Sequence, residues 1–470
     1  MGIAEALRYK GVSLPRSIQT LRVGYLAVAL ACRAAGVAAA EVREFTLDNG
    51  LKLIVQEDHR APVVVSQVWY KVGSSYEHEG ITGVSHALEH MMFQGTERHP
   101  AGEFSRLISA SGGEENAFTG SDYTAYFQKM AKENLSLSFE LEADRMRGLT
   151  LPEQEFAKEI KVVMEERRLR TDDKPESLMA ETAMAVAFET SPYRHPIIGW
   201  MHDLEAMTVA DLRAWYERWY GPNNATLVVV GDVEPGAVFD LAKRYFAPLA
   251  SSTRPAPKPA REVAQKGQRR VTVREVARLP QLLMAYKVPV LTSAVANPAQ
   301  IPRGEVFALE VLAELLSGGD SARLPRHLVR EQEVAASANA GYSLGDRLES
   351  LFTLEAIPAE GRDLVALESA LRREIERLRS ESVPAEEIDR VKARVIARKV
   401  FEQDSMFYQA MQIGFLESVG LDWRLKDQYL EAVKAVTAEE VRRVATRYLV
   451  DDGLTVAVLE PRPVPAAGRD

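Results

Sequence analysis

Two histidines and one glutamate stand close together in the segment SHALEH, residues 85–90. His86 and His90 are four positions apart, and Glu89 directly precedes the second histidine. On a helix, side chains at this spacing lie one turn apart on one face, where two imidazoles can hold one metal ion. A carboxylate beside that face can take a proton from a water molecule at the metal. The spacing therefore leaves two interpretations open: a catalytic metal site, or an ordinary solvated polar face of a helix.

The helix that carries these residues is predicted over residues 83–93, beginning near Gly83 or the threonine before it. Upstream, residues 44–56 have Asp-Asn-Gly between two alternating segments, a pattern typical of a β-hairpin. Residues 63–72 continue as a strand. Because strands and helices are mixed along the chain, the pattern predicts an α+β fold with antiparallel pairing.

The second part of the chain repeats a unit of the first. Residues 207–232 match residues 436–461 without a gap. Each copy has a threonine suited to cap a helix (Thr208 or Thr437), then an amphipathic helix, a turn and a β-branched run. The length of the match favours two duplicated α/β domains, and chance recurrence of helix–turn–strand units is the alternative.

The composition is that of an ordinary globular protein, with 46% hydrophobic and 27% charged residues. A chain of 470 residues is too long for one compact core, so two or more domains are expected. The formal net charge of −9 argues against a nucleic-acid partner. Cys32 is the single cysteine, which excludes intrachain disulfides and a thiolate zinc site.

The best internal boundary is the segment 251–268, which is rich in proline, serine, lysine and arginine and has no periodicity. It is typical of an extended linker. We therefore predict an N-terminal domain with the metal motif over residues 41–250 and a homologous domain without it over residues 269–462. Residues 463–470 form a tail.

The N-terminus resembles a secretory signal peptide over residues 1–40. Arg22 precedes a short apolar run, and the small residues Ala38–Ala40 suit a cleavage site. The run is too short for a transmembrane helix, so no stable membrane span is expected in the mature chain. This pattern predicts a periplasmic or secreted protein, and the alternatives are a structured helix of a cytoplasmic protein or a membrane anchor.

The segment His86-Ala-Leu-Glu89-His90 has the inverted zinc signature H-x-x-E-H. It resembles the pitrilysin-type (inverzincin) zinc metallopeptidase family, and among its members the short two-domain bacterial enzymes and the mitochondrial processing peptidases. The resemblance extends over roughly residues 42–462. It implies one zinc ion per chain, held by the two histidines and by a glutamate in a later helix, with Glu89 as the catalytic base.

Two adjacent acids, Glu165 and Glu166, compete for the third ligand position in residues 155–177. In the family, a second functional glutamate precedes the ligand by seven residues. Glu159 and Glu166 have this spacing and lie about 20° out of phase on a helix, whereas Glu165 would lie about 120° away. The resemblance thus implies Glu166 as ligand and Glu159 as a supporting catalytic acid. Without the motif, both are ordinary acids of a charged helix.

The resemblance also implies substrate-binding residues in both domains. Residues 109–127 are similar to the family's edge strand beside the metal, where Asn116 and Ala117 would hold an extended peptide as an added strand. In the second domain, Arg330 stands where an arginine is usual. A tyrosine that holds the substrate carbonyl in many active members is replaced here by Ala336, and Tyr342 is the candidate substitute.

The function that the resemblance implies is a zinc-dependent endopeptidase acting on peptides, or on unfolded or precursor polypeptides. Four such domains enclose a chamber in the family, and this chain has two. It should therefore form a homodimer, or a heterodimer with a related subunit of the same fold. Two alternatives remain: a non-catalytic structural or assembly subunit of the same family, and a peptidase dedicated to one precursor.

Overall fold

The computed structural model describes residues 41–253 and 261–462. The predicted signal peptide, the predicted tail and part of the predicted linker lie outside these residues. The strands form two sheets. The strands of the first sheet are β1 Val42–Thr46, β2 Lys52–Glu57, β3 Val63–Tyr70, β4 Glu114–Thr119, β5 Thr124–Ala131 and β6 Ala225–Gly231. The strands of the second sheet are β7 Arg269–Val276, β8 Gln281–Val288, β9 Ala335–Gly341, β10 Ser350–Pro358 and β11 Leu454–Arg462.

The first sheet has the order β1-β2-β6-β3-β5-β4. The predicted hairpin is confirmed, because β1 and β2 pair antiparallel with Thr46 opposite Lys52. β2 and β6 are parallel, and the other neighbours are antiparallel. β4 pairs only with β5 among the described strands and forms one edge of the sheet.

The second sheet follows the same path, in the order β7-β11-β8-β10-β9. Its first pair, β7 and β11, is parallel like β2 and β6, and its remaining pairs are antiparallel. Apart from the extra strand β1, the two sheets are therefore built in the same chain order. The predicted α+β fold with two duplicated domains is confirmed.

Helices fill the connections between strands. In the first half they are α1 Val84–Met91, α2 Glu103–Ala110, α3 Leu135–Gly148, α4 Glu153–Arg167, α5 Pro175–Ala187, α6 Met201–Ala206, α7 Val209–Trp219 and α8 Pro235–Phe246. In the second half they are α9 Leu291–Ala296, α10 Arg303–Ser317, α11 Leu364–Ser380, α12 Ala385–Glu402, α13 Met406–Ser418, α14 Leu425–Ala435 and α15 Ala438–Tyr448. Over the described ranges, no helix has both the length and the apolar character needed to cross a bilayer.

The repeated unit of the sequence is the same structure in both halves. α7 and α15 each begin with a complete capping box, Thr208 with Asp211 and Thr437 with Glu440. Each helix leads through a short 3₁₀ turn into an interior strand of its sheet, β6 or β11. All seven residues of β6 are buried, which suits a strand covered on both faces.

Each sheet is covered on one face by a helix from the other half. Helix α13 packs on the first sheet, where its Ile413 shares a buried cluster with Ile54 and Val228. Helix α5 packs on the second sheet, where its Met179 meets Leu283. The two exchanged helices hold the same place in chain order, because α5 is the third of five helices between β5 and β6 and α13 is the third of five between β10 and β11. The opposite face of each sheet packs on helices of its own half.

Candidate metal centre

Two buried carboxylates hold the beginning of α1, the helix that carries the H-x-x-E-H segment. Gly83 precedes the helix with a φ of 87°, a conformation that favours glycine. Glu77 accepts hydrogen bonds from the backbone N–H groups of Gly83 (2.6 Å) and Ser85 (2.8 Å). Asp203 accepts from the backbone N–H of Thr82 at 3.2 Å and from its hydroxyl at 2.5 Å. Negative charge at this end is favourable, because the first N–H groups of a helix lack helical partners.

The structure brings His86, His90 and Glu166 together. Glu166 Oε2 lies 3.7 Å from His86 Nε2 and 3.5 Å from His90 Nε2. One ligand atom of each residue lies within 4.8 Å of the others. Helix α1 supplies both histidines through one face, while Leu88 on its other face is fully buried in the first core. The glutamate comes from α4, which packs against α1. Val163 of α4 belongs to the same core, and Phe156 and Ile160 pack against it.

The acids of α4 have different surroundings. Glu159 Oε2 lies 3.1 Å from His90 Nδ1, and Glu159 Oε1 accepts a hydrogen bond from Gln94 Nε2 at 2.9 Å. Glu159 thus orients the ring whose other nitrogen faces Glu166, an arrangement common behind metal-ligating histidines. Glu165 instead pairs with Arg168 at 3.1 Å, and its side chain is 59% exposed. The structure therefore places Glu166 in the cluster, as the helix phase predicted, and Glu165 outside it.

The surroundings bias His86 and Glu166 toward the protonation states that bind a metal. Burial lowers the pKa of His86 to about 4, and the neighbouring His90 adds to this effect. Burial also opposes protonation of His90, but hydrogen bonds with Glu166 and Glu159 outweigh it and raise its pKa. The hydrogen bond with His90 lowers the pKa of Glu166. A neutral imidazole and an ionised carboxylate are the forms that bind a metal.

Glu89 lies beside the cluster and is held from the edge strand. The hydroxyl of Thr119, the last residue of β4, donates to Glu89 Oε2. Burial raises the pKa of Glu89, although the hydrogen bond from Thr119 works against that shift. Thr119 received no role from the sequence, although it belongs to the stretch 109–127 that resembles the family's edge strand. Its contact with Glu89 spans 30 positions, so no local periodicity could have indicated it.

The predicted substrate-binding pair lies on β4. Ala117 packs toward the first core, on the side of α1, and Phe118 faces the other side of the sheet. Asn116 is exposed, and its Oδ1 accepts a hydrogen bond from the backbone N–H of Ala117 at 2.8 Å. The side chain of Asn116 thus occupies the backbone N–H of Ala117 on this edge of the sheet.

None of the candidate residues of the second half belongs to the ligand group His86, His90 and Glu166, among the described residues. Arg330 is exposed in the π-helical segment Pro325–Glu331, and Ala336 is exposed on β9, an edge of the second sheet. The hydroxyl of Tyr342 donates to the backbone oxygen of Pro289 at 2.7 Å. That hydrogen bond keeps Tyr342 within the second half. The substrate role of Arg330 stays a prediction.

The three cluster residues fit zinc. Two ligand atoms about 2.1 Å from a tetrahedral zinc ion are roughly 3.4 Å apart. The separations of 3.7 Å and 3.5 Å between the histidine nitrogens and the Glu166 oxygen are close to this value. Two imidazoles and one carboxylate are also the ligand set of catalytic zinc sites that keep a fourth position open.

Comparison with known proteins identifies the family. Residues 52–199 match the family described as insulinase (peptidase family M16), and residues 206–395 match the domain described as peptidase M16 inactive domain. The zinc protease PqqE of Helicobacter pylori is 32% identical over 421 residues, which cover 88% of this chain and 92% of that protein. This chain belongs to peptidase family M16. The pitrilysin-type family predicted from the sequence is confirmed.

Solved structures agree with this M16 assignment. The crystal structure of a protease from Helicobacter pylori has a TM-score of 0.83 and 31% identity, covering 90% of this chain and all of that chain (100%). A peptidase M16 inactive domain from Pseudomonas fluorescens has the same fold, with a TM-score of 0.78 at 17% identity over 90% of this chain and 100% of that chain.

A second relative in sequence, an uncharacterized zinc protease of Rickettsia bellii, is 26% identical over 415 residues, covering 88% of this chain and 96% of that protein.

Proposed function

We propose that this chain is a zinc-dependent endopeptidase that cleaves extended peptides or unfolded polypeptides beside α1. The observation that carries the proposal is the convergence of His86, His90 and Glu166 with Glu89 next to them. Those three ligands would hold one zinc ion, which when bound supplies a Lewis acid that polarises a peptide carbonyl and lowers the pKa of water.

Glu89 acts as general base and then as general acid. Its carboxylate accepts a proton from the attacking water and returns it to the amine of the leaving peptide. Thr119 fixes Oε2 of this carboxylate, which limits its rotation. Glu159 fixes the ring of His90 through Nδ1 and so keeps Nε2 directed at the ligand cluster.

The edge strand β4 binds the substrate as an added strand. Its unpaired side offers backbone groups to an extended peptide, and Thr119 at its end adjoins the base. A substrate carbonyl would replace Asn116 Oδ1 at the N–H of Ala117, which frees the Asn116 amide for the peptide. Arg330 of the second half would contact the substrate further along the chamber.

A second chain of the same fold would complete the chamber, as a homodimer or as a heterodimer with a related subunit. The structure of the periplasmic protease PqqL from Escherichia coli supports this proposal, because the match covers 90% of this chain but 48% of that chain, with a TM-score of 0.72 and 18% identity. That chain therefore has room for a second unit of this fold. The signal-peptide pattern supports a periplasmic or secreted location, with a cytoplasmic one as the alternative.

A non-catalytic subunit is the second candidate function, favoured by Ala336 at the position of the family's tyrosine and by the match of residues 206–395 to an inactive domain. A peptidase dedicated to one precursor is the third. Both alternatives keep the metal site but predict no cleavage of general peptides.

The test is the zinc content of the purified chain and its cleavage of an unstructured quenched-fluorescent peptide library, with and without a chelator. We expect one zinc ion per chain and cleavage that the chelator abolishes. Glu89→Gln should retain zinc and lose about 100- to 10,000-fold in rate, since it removes the general base. Undiminished cleavage by Glu89→Gln would rule out this mechanism. Zinc binding without cleavage by the unaltered chain would favour the non-catalytic or dedicated alternatives.

A further inference from the structure

The two halves meet at a buried cluster next to the metal helix. We call Ser75, Asp122, Tyr193 and Arg347 the Asp122 cluster. Arg347 belongs to the loop between β9 and β10 in the second half, and the other three residues belong to the first half. Asp122 is 4% exposed and the arginine side chain 17%.

Each carboxylate oxygen of Asp122 accepts two hydrogen bonds. Oδ1 accepts from Arg347 Nε at 2.9 Å and from the Ser75 hydroxyl at 2.6 Å. Oδ2 accepts from the backbone N–H of Arg347 at 3.1 Å and from the Tyr193 hydroxyl. Arg347 Nη2 also donates to Ser75 Oγ at 2.7 Å, and its guanidinium lies 4.3 Å from the ring centre of Tyr76. A buried ion pair satisfied on all sides has a defined geometry and is costly to break on one side.

Both first-half segments in this cluster continue directly into the proposed catalytic machinery. Asp122 lies in the turn after β4, three positions beyond Thr119, which holds Glu89. Ser75 lies two positions before Glu77, which holds the first N–H groups of α1. The two segments are also joined by backbone hydrogen bonds, from Ser74 to Gly120 (3.3 Å) and from Ser75 to Ser121 (2.7 Å).

We propose that Arg347 is a positioning residue through which the second half sets the placement of α1 and β4 at the metal centre. It clamps the turn after β4 to the segment before α1, and so sets the distance between Thr119 and Glu89. The metal cluster itself contains first-half residues only, among the described ranges. Through Arg347, the second half thus influences the position of Glu89, the proposed general base. The kinetic consequence rests on the proposed function, whereas the structural consequence does not.

The chain offers a matched control. Lys52 of β2 and Glu417 of α13 form another ion pair between the halves, at 2.9 Å. This pair lies on the side of the first sheet that α13 covers, while α1 packs on the opposite side. Arg347→Met and Lys52→Met each remove one inter-half cation and keep an apolar stem, so both should lower the melting temperature.

The experiment compares these variants in the full chain by steady-state kinetics, zinc affinity and hydrogen–deuterium exchange. We expect Arg347→Met to lower kcat by about 10- to 100-fold with little change in KM, because a small displacement of the base is costly. Exchange should rise in residues 74–91 and 118–124 in that variant alone. Arg347→Lys should recover part of both effects, since it restores the charge but not the forked contact.

The opposite result is equally clear. Should Arg347→Met lower the melting temperature as Lys52→Met does, yet leave both kcat and the exchange of α1 unchanged, Arg347 would be an inter-half contact only and the proposal would be overturned. If the unaltered chain cleaves no peptide, the proposed function fails separately. The exchange of residues 74–91 and the zinc affinity then still decide the role of Arg347.

Discussion

The two halves share one chain path but place different helices in the same connection. In the first half, the chain between β3 and β4 contains α1, a short helix that leaves His86, Glu89 and His90 beside a ligand from α4. In the second half, the chain between β8 and β9 contains α10, which has no histidine. The buried residues of α10 lie all around its axis: Glu305, Val306, Phe307, Ala308, Leu309, Val311, Leu312, Leu315 and Leu316. Except for Glu305, these side chains are apolar, so α10 belongs to the core of the second half and presents no pair of metal ligands like His86 and His90.

The comparison shows which features of the duplication are architectural. Both halves keep the sheet order, the capping boxes of α7 and α15, and the exchanged helices α5 and α13. Only the first half has the metal ligands, among the described residues. The scaffold therefore needs both copies, whereas the metal ligands come from one.

The largest expected effect comes from separating the halves. The fragments 41–253 and 261–462 should each fail to fold alone, because each sheet loses the helix that covers one of its faces. Circular dichroism and thermal melts of each fragment, and of both expressed together, test this prediction. A cooperative melt of either fragment alone would show that the exchanged helices are dispensable.

The second-largest effect is expected from replacing the carboxylate ligand, because this change should remove the metal site that distinguishes the first half from the second. Glu166→Gln should lose bound zinc and at least about 100-fold in cleavage rate, since the charge that completes the ligand set is gone. The matched control is Glu165→Gln, whose side chain pairs with Arg168 and is mostly exposed. Metal analysis and peptide cleavage should leave this control at the level of the unaltered chain. Equal zinc loss in both variants would contradict the assignment.

A smaller effect is expected from the residue behind His90. Glu159→Gln keeps the shape of the side chain but removes the negative charge beside Nδ1, so zinc affinity should fall about 10- to 100-fold. Competition titration with a chromophoric chelator measures this affinity. The control is Glu155→Gln, one turn earlier on α4, where the carboxylate pairs with Lys158 at 2.8 Å. If the two variants bind zinc equally well, Glu159 does not support the site.

The smallest effect should be the same in both halves. Thr208→Ala and Thr437→Ala each remove the side-chain cap of an equivalent helix, and each should cost about 1 kcal/mol of unfolding free energy. Neither change should alter the zinc content. Denaturant titrations of the two variants would sharpen the comparison, because a much larger loss at one cap would show that the halves differ in stability at this shared unit.

Much of the fold and part of the site were predictable because they depend on local periodicity. The hairpin at Asp-Asn-Gly, the helix with His86 and His90, and the repeated cap–helix–strand unit each follow from patterns within about 30 residues. The choice between Glu165 and Glu166 combined the family's seven-residue spacing with the helix phase, and the structure places Glu166 in the cluster. The resemblance then indicated which two helices meet.

Sequence alone determined the residue types of the site, their spacing on two helices, and the duplication of the scaffold. Tertiary structure alone decided which side chains support them: Thr119 against Glu89, Gln94 against Glu159, and Arg347 against Asp122. It also decided that α5 and α13 cross between the halves. The physical reason is that period and capping act within a few turns, whereas these contacts join residues far apart in the chain and form only once both sheets are packed.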